Sequence, residues 1–193
     1  MKSFSDFKTA LGFAEGSGDY KADNKRGYVG KYQFGKERLK DLGYTGTLNN
    51  LKLNPGLQEN LFLLHVQDHA KYLVKFLQTA KSKIGSHITL SGLIAGAHLK
   101  GRGHINYTDN CKRSGVIQYI LFGKDCSDGN GTKISTYVNK FSGFEIPGYI
   151  ENEKIVTDNK IPSEKGEVKN SVLPFILIGI GVLIIIMVLK NQK

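Results

Sequence analysis

Residues 3–18 read SFSDFKTALGFAEGSG and predict a helix that ends in a carboxylate. Ser3 and Asp6 have the spacing of a capping box, in which each side chain binds the main-chain N–H of the other residue. The two glycines that close the stretch predict the end of the helix, because glycine readily adopts the left-handed conformation found there. The apolar residues recur at helical spacing: Phe4, Phe7, Leu11 and Ala14. Glu15 therefore falls in the last turn, beside this apolar stripe.

Glu15 is the candidate proton donor of this chain. The negative end of the helix dipole and partial burial both disfavour a charged carboxylate. A general acid must hold its proton near neutral pH, so this position suits one. On spacing alone, a solvated glutamate at a frayed helix end is the simpler interpretation.

Further helices and a short hairpin are predicted along the chain. Apolar residues at three- and four-residue steps predict a long core helix over 57–77, and the Gly- and Ala-rich stretch 90–99 predicts a closely packed one. Shorter helices are expected near 112–122 and 134–142, and glycines around 28–34 indicate a hairpin. The polar side of the long helix is predicted to contain Gln58, Glu59, Gln67, Asp68, Lys71 and Lys75. The expected fold class is mainly α.

The charge of the chain indicates a polyanionic partner. Its 193 residues have a formal net charge of +10 and a pI near 9.5. Such a surface attracts nucleic acid or bacterial cell wall, and charge alone does not separate the two. No basic stripe interleaved with aromatic residues is present, so nucleic acid is not the expected partner.

The chain divides into three regions by composition. Residues 1–149 contain the aromatic and periodic segments of a globular domain, and residues 150–171 form a polar stretch that predicts a solvated tether. Residues 172–189 are wholly apolar and long enough to span a lipid bilayer as one C-terminal transmembrane helix.

Two motifs resemble metal sites but lack residues that such sites need. His65 and His69 have zinc-helix spacing, but Val66 replaces the required glutamate, so surface histidines and no metal site are expected. The acidic stretch 125–131 lacks the ligand pattern of a calcium loop and predicts a turn.

The two cysteines, Cys111 and Cys126, allow at most one internal disulfide, and two free thiols are an equal alternative.

Four motifs in order carry a family resemblance. They are EGSGDY at 15–20, GYVGKYQFG at 27–35, GLIAGAHLKG at 92–101 and STYV at 135–138. Together they resemble the lytic transglycosylases of the lysozyme-like superfamily, particularly phage and bacterial members, over residues 4–142. The resemblance implies a lysozyme-like α+β domain.

The resemblance also implies a site. Glu15 matches the single catalytic acid and base, with no cofactor and no metal. Three positions depart from the family pattern: His98 replaces a tyrosine, Leu99 replaces an asparagine, and Gly16 separates the acid from the serine that commonly follows it. The implied substrate-binding residues are Ser17, Tyr32, Gln33, Phe34, His98 and Tyr137.

The implied reaction is cleavage of the β-1,4 bond between MurNAc and GlcNAc in peptidoglycan. In such families the muramic acid hydroxyl attacks and no protein nucleophile is needed, whereas water attacks in a lysozyme. An ordinary glycosidase uses a second carboxylate, for which Asp19, Asp23 and Glu37 are candidates. Sugar-stacking aromatic rings are a further expectation, with Tyr28 and Tyr44 predicted to be core and the other candidates being Tyr20, Tyr32, Phe34 and Tyr137.

A C-terminal anchor without an N-terminal signal suggests a virion protein. The expected setting is the internal membrane of a bacteriophage, where the enzyme opens the cell wall during entry and contacts other virion membrane proteins; a host-membrane lysis enzyme is the runner-up. The main alternative is a non-catalytic peptidoglycan-binding structural protein of the virion membrane. A basic nucleic-acid packaging factor is the third interpretation.

Overall fold

The structure, a computed structural model, describes residues 1–103 and 111–149, which belong to one compact unit. This part of the chain is mainly α, as predicted. Its helices are α1 (Phe4–Gly16), α2 (Lys36–Asp41), α3 (Leu48–Lys52), α4 (Pro55–Leu73), α5 (Leu77–Lys83), α6 (Leu90–Lys100), α7 (Val116–Phe122) and α8 (Ile134–Lys140). No helix among these residues is long and apolar enough to cross a membrane. The predicted tether (150–171) and membrane helix (172–189) lie outside the described residues.

Helix α1 forms as its sequence predicts. The Ser3 hydroxyl accepts the main-chain N–H of Asp6, whose carboxylate accepts the N–H of Ser3 in return, so the capping box is complete. The helix ends at Gly16, and the next residue, Ser17, caps it in a left-handed conformation. Phe7 and Leu11 on its apolar stripe are fully buried. The carboxyl end of α1 is therefore held against the core, and Glu15 lies in its last turn.

The predicted long helix is divided in two, and the side that faces the core differs from the predicted one. A short 3-10 helix (Val74–Phe76) separates α4 from α5, so the prediction of one continuous helix over 57–77 was wrong. Leu64, one of the apolar residues whose spacing predicted the core side of this helix, is exposed, whereas Gln58, predicted on the polar side, is buried. The inward side of α4 consists of Gln58, Leu61, Phe62, His65, Val66, His69, Ala70 and Leu73. Polar side chains can occupy it because partners from other elements satisfy most of their polar atoms.

Helix α6 lies at the centre, buried from Leu90 to Ala97. It packs closely against α8, because Gly92 faces the main-chain oxygen of Val138 and Gly96 faces its side chain. A Cβ atom at Gly92 would clash with that oxygen. The predicted close packing of this glycine-rich helix is confirmed, and it fixes the position of α8 next to α6.

The predicted hairpin is present and packs against the end of α1. Strands β1 (Tyr28–Val29) and β2 (Phe34–Gly35) pair antiparallel, joined by residues 30–33. A Cβ atom at Gly16 would lie 2.7 Å from the carbonyl oxygens of both Gly30 and Lys31. Glycine after the carboxylate is therefore a packing requirement of this fold. Helices α2 and α3, which follow the hairpin, were not predicted.

A disulfide and a tight turn lead into α8. Cys111 and Cys126 are bonded, which decides between the two alternatives that the sequence left open. The side chain of Asp128 accepts the N–H groups of Asn130 and Thr132, so this stretch forms the predicted turn. Asp125 then accepts the main-chain N–H and the hydroxyl of Ser135 in the first turn of α8.

Candidate active site

The carboxylate of Glu15 meets the hydroxyl of Tyr137, 122 residues away in the chain. The hydroxyl donates a hydrogen bond to Glu15 Oε1 over 2.7 Å. Burial, with the neighbouring carboxylate, raises the pKa of Tyr137, so the hydroxyl keeps its proton and remains a donor. The side chain of Glu15 is only 16% exposed. The end of α1 and the middle of α8 thus bring together the two residues that the resemblance assigns to one site.

His98 lies on the other side of the same oxygen. Its Nε2 is 3.8 Å from Glu15 Oε1, and its side chain is 6% exposed. Burial lowers the pKa of His98, although the charge of Glu15 and a hydrogen bond to the carbonyl of Tyr32 oppose this effect. The imidazole is therefore neutral near pH 7. The position that departs from the family pattern is one of the residues next to the candidate acid.

Behind His98 lies a cluster of buried histidines that the sequence analysis placed on the surface. His65 and His69 are only 2% and 4% exposed, so that prediction was wrong. His65 Nε2 lies 3.1 Å from His98 Nδ1, and the imidazoles of His65 and His69 meet edge to face. Burial lowers the pKa of His65 well below its usual value and that of His69 to about 3. Among the described residues, no group of three or more histidines, cysteines and acidic residues has a metal-binding arrangement.

An arginine connects this cluster to the protein surface. Arg38 of α2 donates from Nε to His65 Nδ1 over 2.9 Å and pairs with Asp68 over 2.7 Å. Arg102 pairs with the other oxygen of Asp68. These three charged residues line a groove of about 520 Å³ together with Asp41, Leu42 and Leu64. Glu15 does not line this groove, so the candidate acid and the groove are separate.

The hairpin residues expected to touch substrate lie beneath the site. The ring of Tyr32 is fully buried and stacks on Phe62 with a centroid separation of 3.9 Å. Phe34 is also buried, with its ring edge-on to His98. Gln33 has a left-handed backbone and donates from its side chain to the carbonyl of Gly30. In this structure Tyr32 and Phe34 support His98 from the core, and neither ring is open to a ligand.

The other residues considered in the sequence analysis differ in their exposure to solvent. Ser17 is exposed at the end of α1, one residue beyond Gly16. Tyr28 was predicted to be core but is 49% exposed, because it lies on the outer face of the hairpin strand. Tyr44 is half-buried against the core and donates to the carbonyl of Thr47.

None of the three candidate second carboxylates has an environment that suits an active site. All three are exposed. Asp19 accepts the N–H of Lys21 within its own turn, Asp23 pairs with Lys52 over 3.0 Å, and Glu37 lies at the start of α2.

A fourth carboxylate, Glu59, is half-buried. The sequence analysis placed it on the polar side of the long helix and gave it no role in a site. It accepts hydrogen bonds from Tyr20, Lys31 and Tyr32, each over 2.8 Å, and pairs with Lys8 over 3.0 Å. Burial raises the pKa of Glu59, but these donors outweigh it and lower the pKa to about 2. Glu59 is therefore a permanently charged anchor that ties the hairpin to α1 and α4. Beside it, Gln58 binds the main chain of residues 20, 31 and 51.

Comparisons of the chain with protein-family models, curated proteins and solved structures found no match.

Proposed function

We propose that the described domain is a lysozyme-like enzyme that cleaves the β-1,4 bond between MurNAc and GlcNAc in peptidoglycan, with Glu15 as its single acid and base. The observation that carries the proposal is the hydrogen bond between Tyr137 and a largely shielded Glu15 at the end of the first helix. A shielded carboxylate that accepts a hydrogen bond from a second helix is held in a defined position, and a positioned carboxylate is what glycoside cleavage requires.

The proposed chemistry uses both oxygens of Glu15. Tyr137 donates to Oε1, which leaves Oε2 to carry the proton that passes to the glycosidic oxygen as the sugar–oxygen bond breaks. The resulting carboxylate then takes the proton of the muramic acid hydroxyl, whose oxygen forms the new bond to the anomeric carbon. The exposed positions of Asp19, Asp23 and Glu37 favour this internal attack over a protein nucleophile.

Digestion of purified sacculi by the full-length chain tests the proposal. We expect soluble muropeptides with anhydro ends, identified by mass spectrometry, and at least a roughly hundredfold loss of rate in Glu15→Gln, which cannot donate a proton. Glu37→Gln removes an exposed carboxylate and is the matched control, with activity close to wild type. Reducing ends would indicate attack by water.

The alternative is a domain that binds peptidoglycan without cutting it. If the folded wild-type chain sediments with sacculi but releases no fragments, and Glu15→Gln sediments equally well, the enzymatic proposal is wrong.

We further propose that residues 150–171 tether the domain to a membrane helix at 172–189, in the internal membrane of a phage virion. The support is the composition of these segments. The partners would be peptidoglycan, the bilayer and other virion membrane proteins. Mass spectrometry of purified virions should find the chain, and carbonate washing of the membrane fraction should not release it. Its absence from virions would contradict the phage-entry role, and DNA binding that falls steeply with salt would favour a packaging factor instead.

A further inference from the structure

A line of side-chain contacts runs from the surface groove to the candidate acid. Arg38 Nε lies 2.9 Å from His65 Nδ1, and His65 Nε2 lies 3.1 Å from His98 Nδ1. His98 Nε2 then lies 3.8 Å from Glu15 Oε1. The contacts join α2, α4, α6 and α1, so four elements meet along this line.

The chemistry of arginine sets the direction of every hydrogen bond in this line. A guanidinium group is a donor only, so His65 Nδ1 must accept from Arg38 and carries no proton. A neutral His65 then holds its proton on Nε2 and donates it to His98 Nδ1. A neutral His98 in turn holds its proton on Nε2, the nitrogen that lies 3.8 Å from Glu15 Oε1.

The surroundings of the line favour this arrangement. Asp68 holds the guanidinium of Arg38 through Oδ2 and that of Arg102 through Oδ1. Burial is the main obstacle to a positive charge on His65, and the neighbouring imidazoles of His69 and His98 and the two guanidinium groups oppose it further. Both imidazoles therefore stay neutral and act as donor on one nitrogen and acceptor on the other.

We propose that Arg38 and His65 are positioning residues, which orient His98 so that its Nε2–H points toward Glu15. The catalytic consequence rests on the function proposed above. When Glu15 has given its proton to the leaving oxygen, the carboxylate has Tyr137 as one donor, and the Nε2–H of His98, now 3.8 Å from Oε1, becomes a second donor after a small shift of its ring. Both donors stabilise the charge that develops on the acid during bond cleavage.

The direction of the hydrogen bonds is tested by nitrogen NMR of the imidazoles in the full-length chain, held in detergent micelles and labelled at its five histidines. We expect His65 and His98 to be neutral Nε2–H tautomers at neutral pH. Arg38→Met should give His65 a mixture of tautomers, because the obligatory donor is gone, whereas Arg38→Lys keeps a donor and should retain the single form. An Nδ1–H tautomer on wild-type His98, or a charged imidazole on either residue, would overturn the proposal.

The positioning role is tested by the rate of sacculus digestion over a range of pH. Arg38→Met should lower kcat roughly tenfold, which is less than the loss of a direct donor, and leave KM unchanged. It should also shift the alkaline limb of the pH profile to higher pH, because the carboxylate form of the acid is less stabilised. His65→Phe breaks the same line of contacts without removing a charge, and it should move this limb in the same direction. Arg38→Lys should retain most of the wild-type rate, and Arg113→Met, at an exposed arginine, is the matched control.

The outcomes separate this proposal from the proposed function. If the wild-type chain cleaves sacculi and folded Arg38→Met has an unchanged rate and pH profile, the positioning role is refuted while the enzymatic role stands. If the wild-type chain releases no fragments, the catalytic role of Glu15 fails, and with it the positioning role. The tautomers of His65 and His98 still establish the direction of the hydrogen bonds in that case.

Discussion

Acidification should destabilise the described domain well above the pH at which its carboxylates titrate. His65, His69 and His98 are buried, and their pKa values are all lowered by that burial. In the unfolded chain each histidine has an ordinary pKa near 6.5 and becomes charged as the pH falls. The unfolded state then binds more protons than the folded state, so stability falls with decreasing pH. The contribution is fully present above pH 6.5 and is lost as the pH falls below it.

The size of the effect follows from His69, whose pKa falls from 6.5 to about 3. A pH of about 5 lies roughly 1.5 units below the ordinary pKa of histidine. Protonation of this one residue therefore stabilises the unfolded state, relative to the folded state, by about 2 kcal/mol. His65 and His98 act in the same direction. Glu59 does not contribute in this range, because its pKa falls from 4.5 to about 2 and its stabilisation is lost only below pH 4.5.

Urea unfolding of the full-length chain in mild detergent, followed by circular dichroism at several pH values between about 7.5 and 5, measures this loss. We expect the free energy of unfolding to fall by at least about 2 kcal/mol over this range. His69→Leu should reduce the fall by about 2 kcal/mol, whatever its effect on absolute stability. His87→Leu, at an exposed histidine, is the matched control and should show the wild-type fall. A free energy of unfolding that stays constant between these pH values would refute the burial argument.

Two substitutions test the packing around the site. Gly16→Ala should lower the free energy of unfolding by roughly 1–3 kcal/mol, because the new Cβ atom meets two carbonyl oxygens of the hairpin turn; Gly129→Ala, at an open position, should change it by less than about 0.5 kcal/mol. Glu59→Gln should lower the free energy of unfolding, measured in urea, by roughly 2 kcal/mol, because Lys31 loses its charged partner. Glu37→Gln, at an exposed position, should leave the free energy of unfolding almost unchanged. Equal losses in the two variants would contradict the anchoring role of Glu59.

The beginning of the fold could be predicted because its signals are local. The capping box at Ser3, the apolar stripe and the glycines after Glu15 each act within one or two helical turns, and the structure has the helix where they place it. The same holds for α6, whose small residues indicated close packing. Short-range periodicity and capping depend on neighbours in the chain, so they are visible in the sequence.

The orientation of α4 could not be predicted in this way. Leucines at positions 57 and 64 pointed to one side of the helix, but His65 and His69 lie on its buried side. For His65 the partner that offsets the cost of burying a polar group is a hydrogen bond to Arg38 or His98, residues from elsewhere in the chain. When such a distant partner is unknown, hydrophobic patterning places the leucine side of the helix against the core and the histidines on the surface.

Local patterns along the chain were sufficient to predict a mainly helical domain whose first helix has a glutamate in its last turn. The order of short motifs also made Glu15 and Tyr137 candidates for one site. The folded domain was needed to show that these two side chains touch, that Cys111 and Cys126 are bonded, and that His65 and His98 lie in line behind the carboxylate. Hydrogen bonds between buried polar groups depend on atoms that packing brings together, and the positions of these groups along the chain do not reveal that packing.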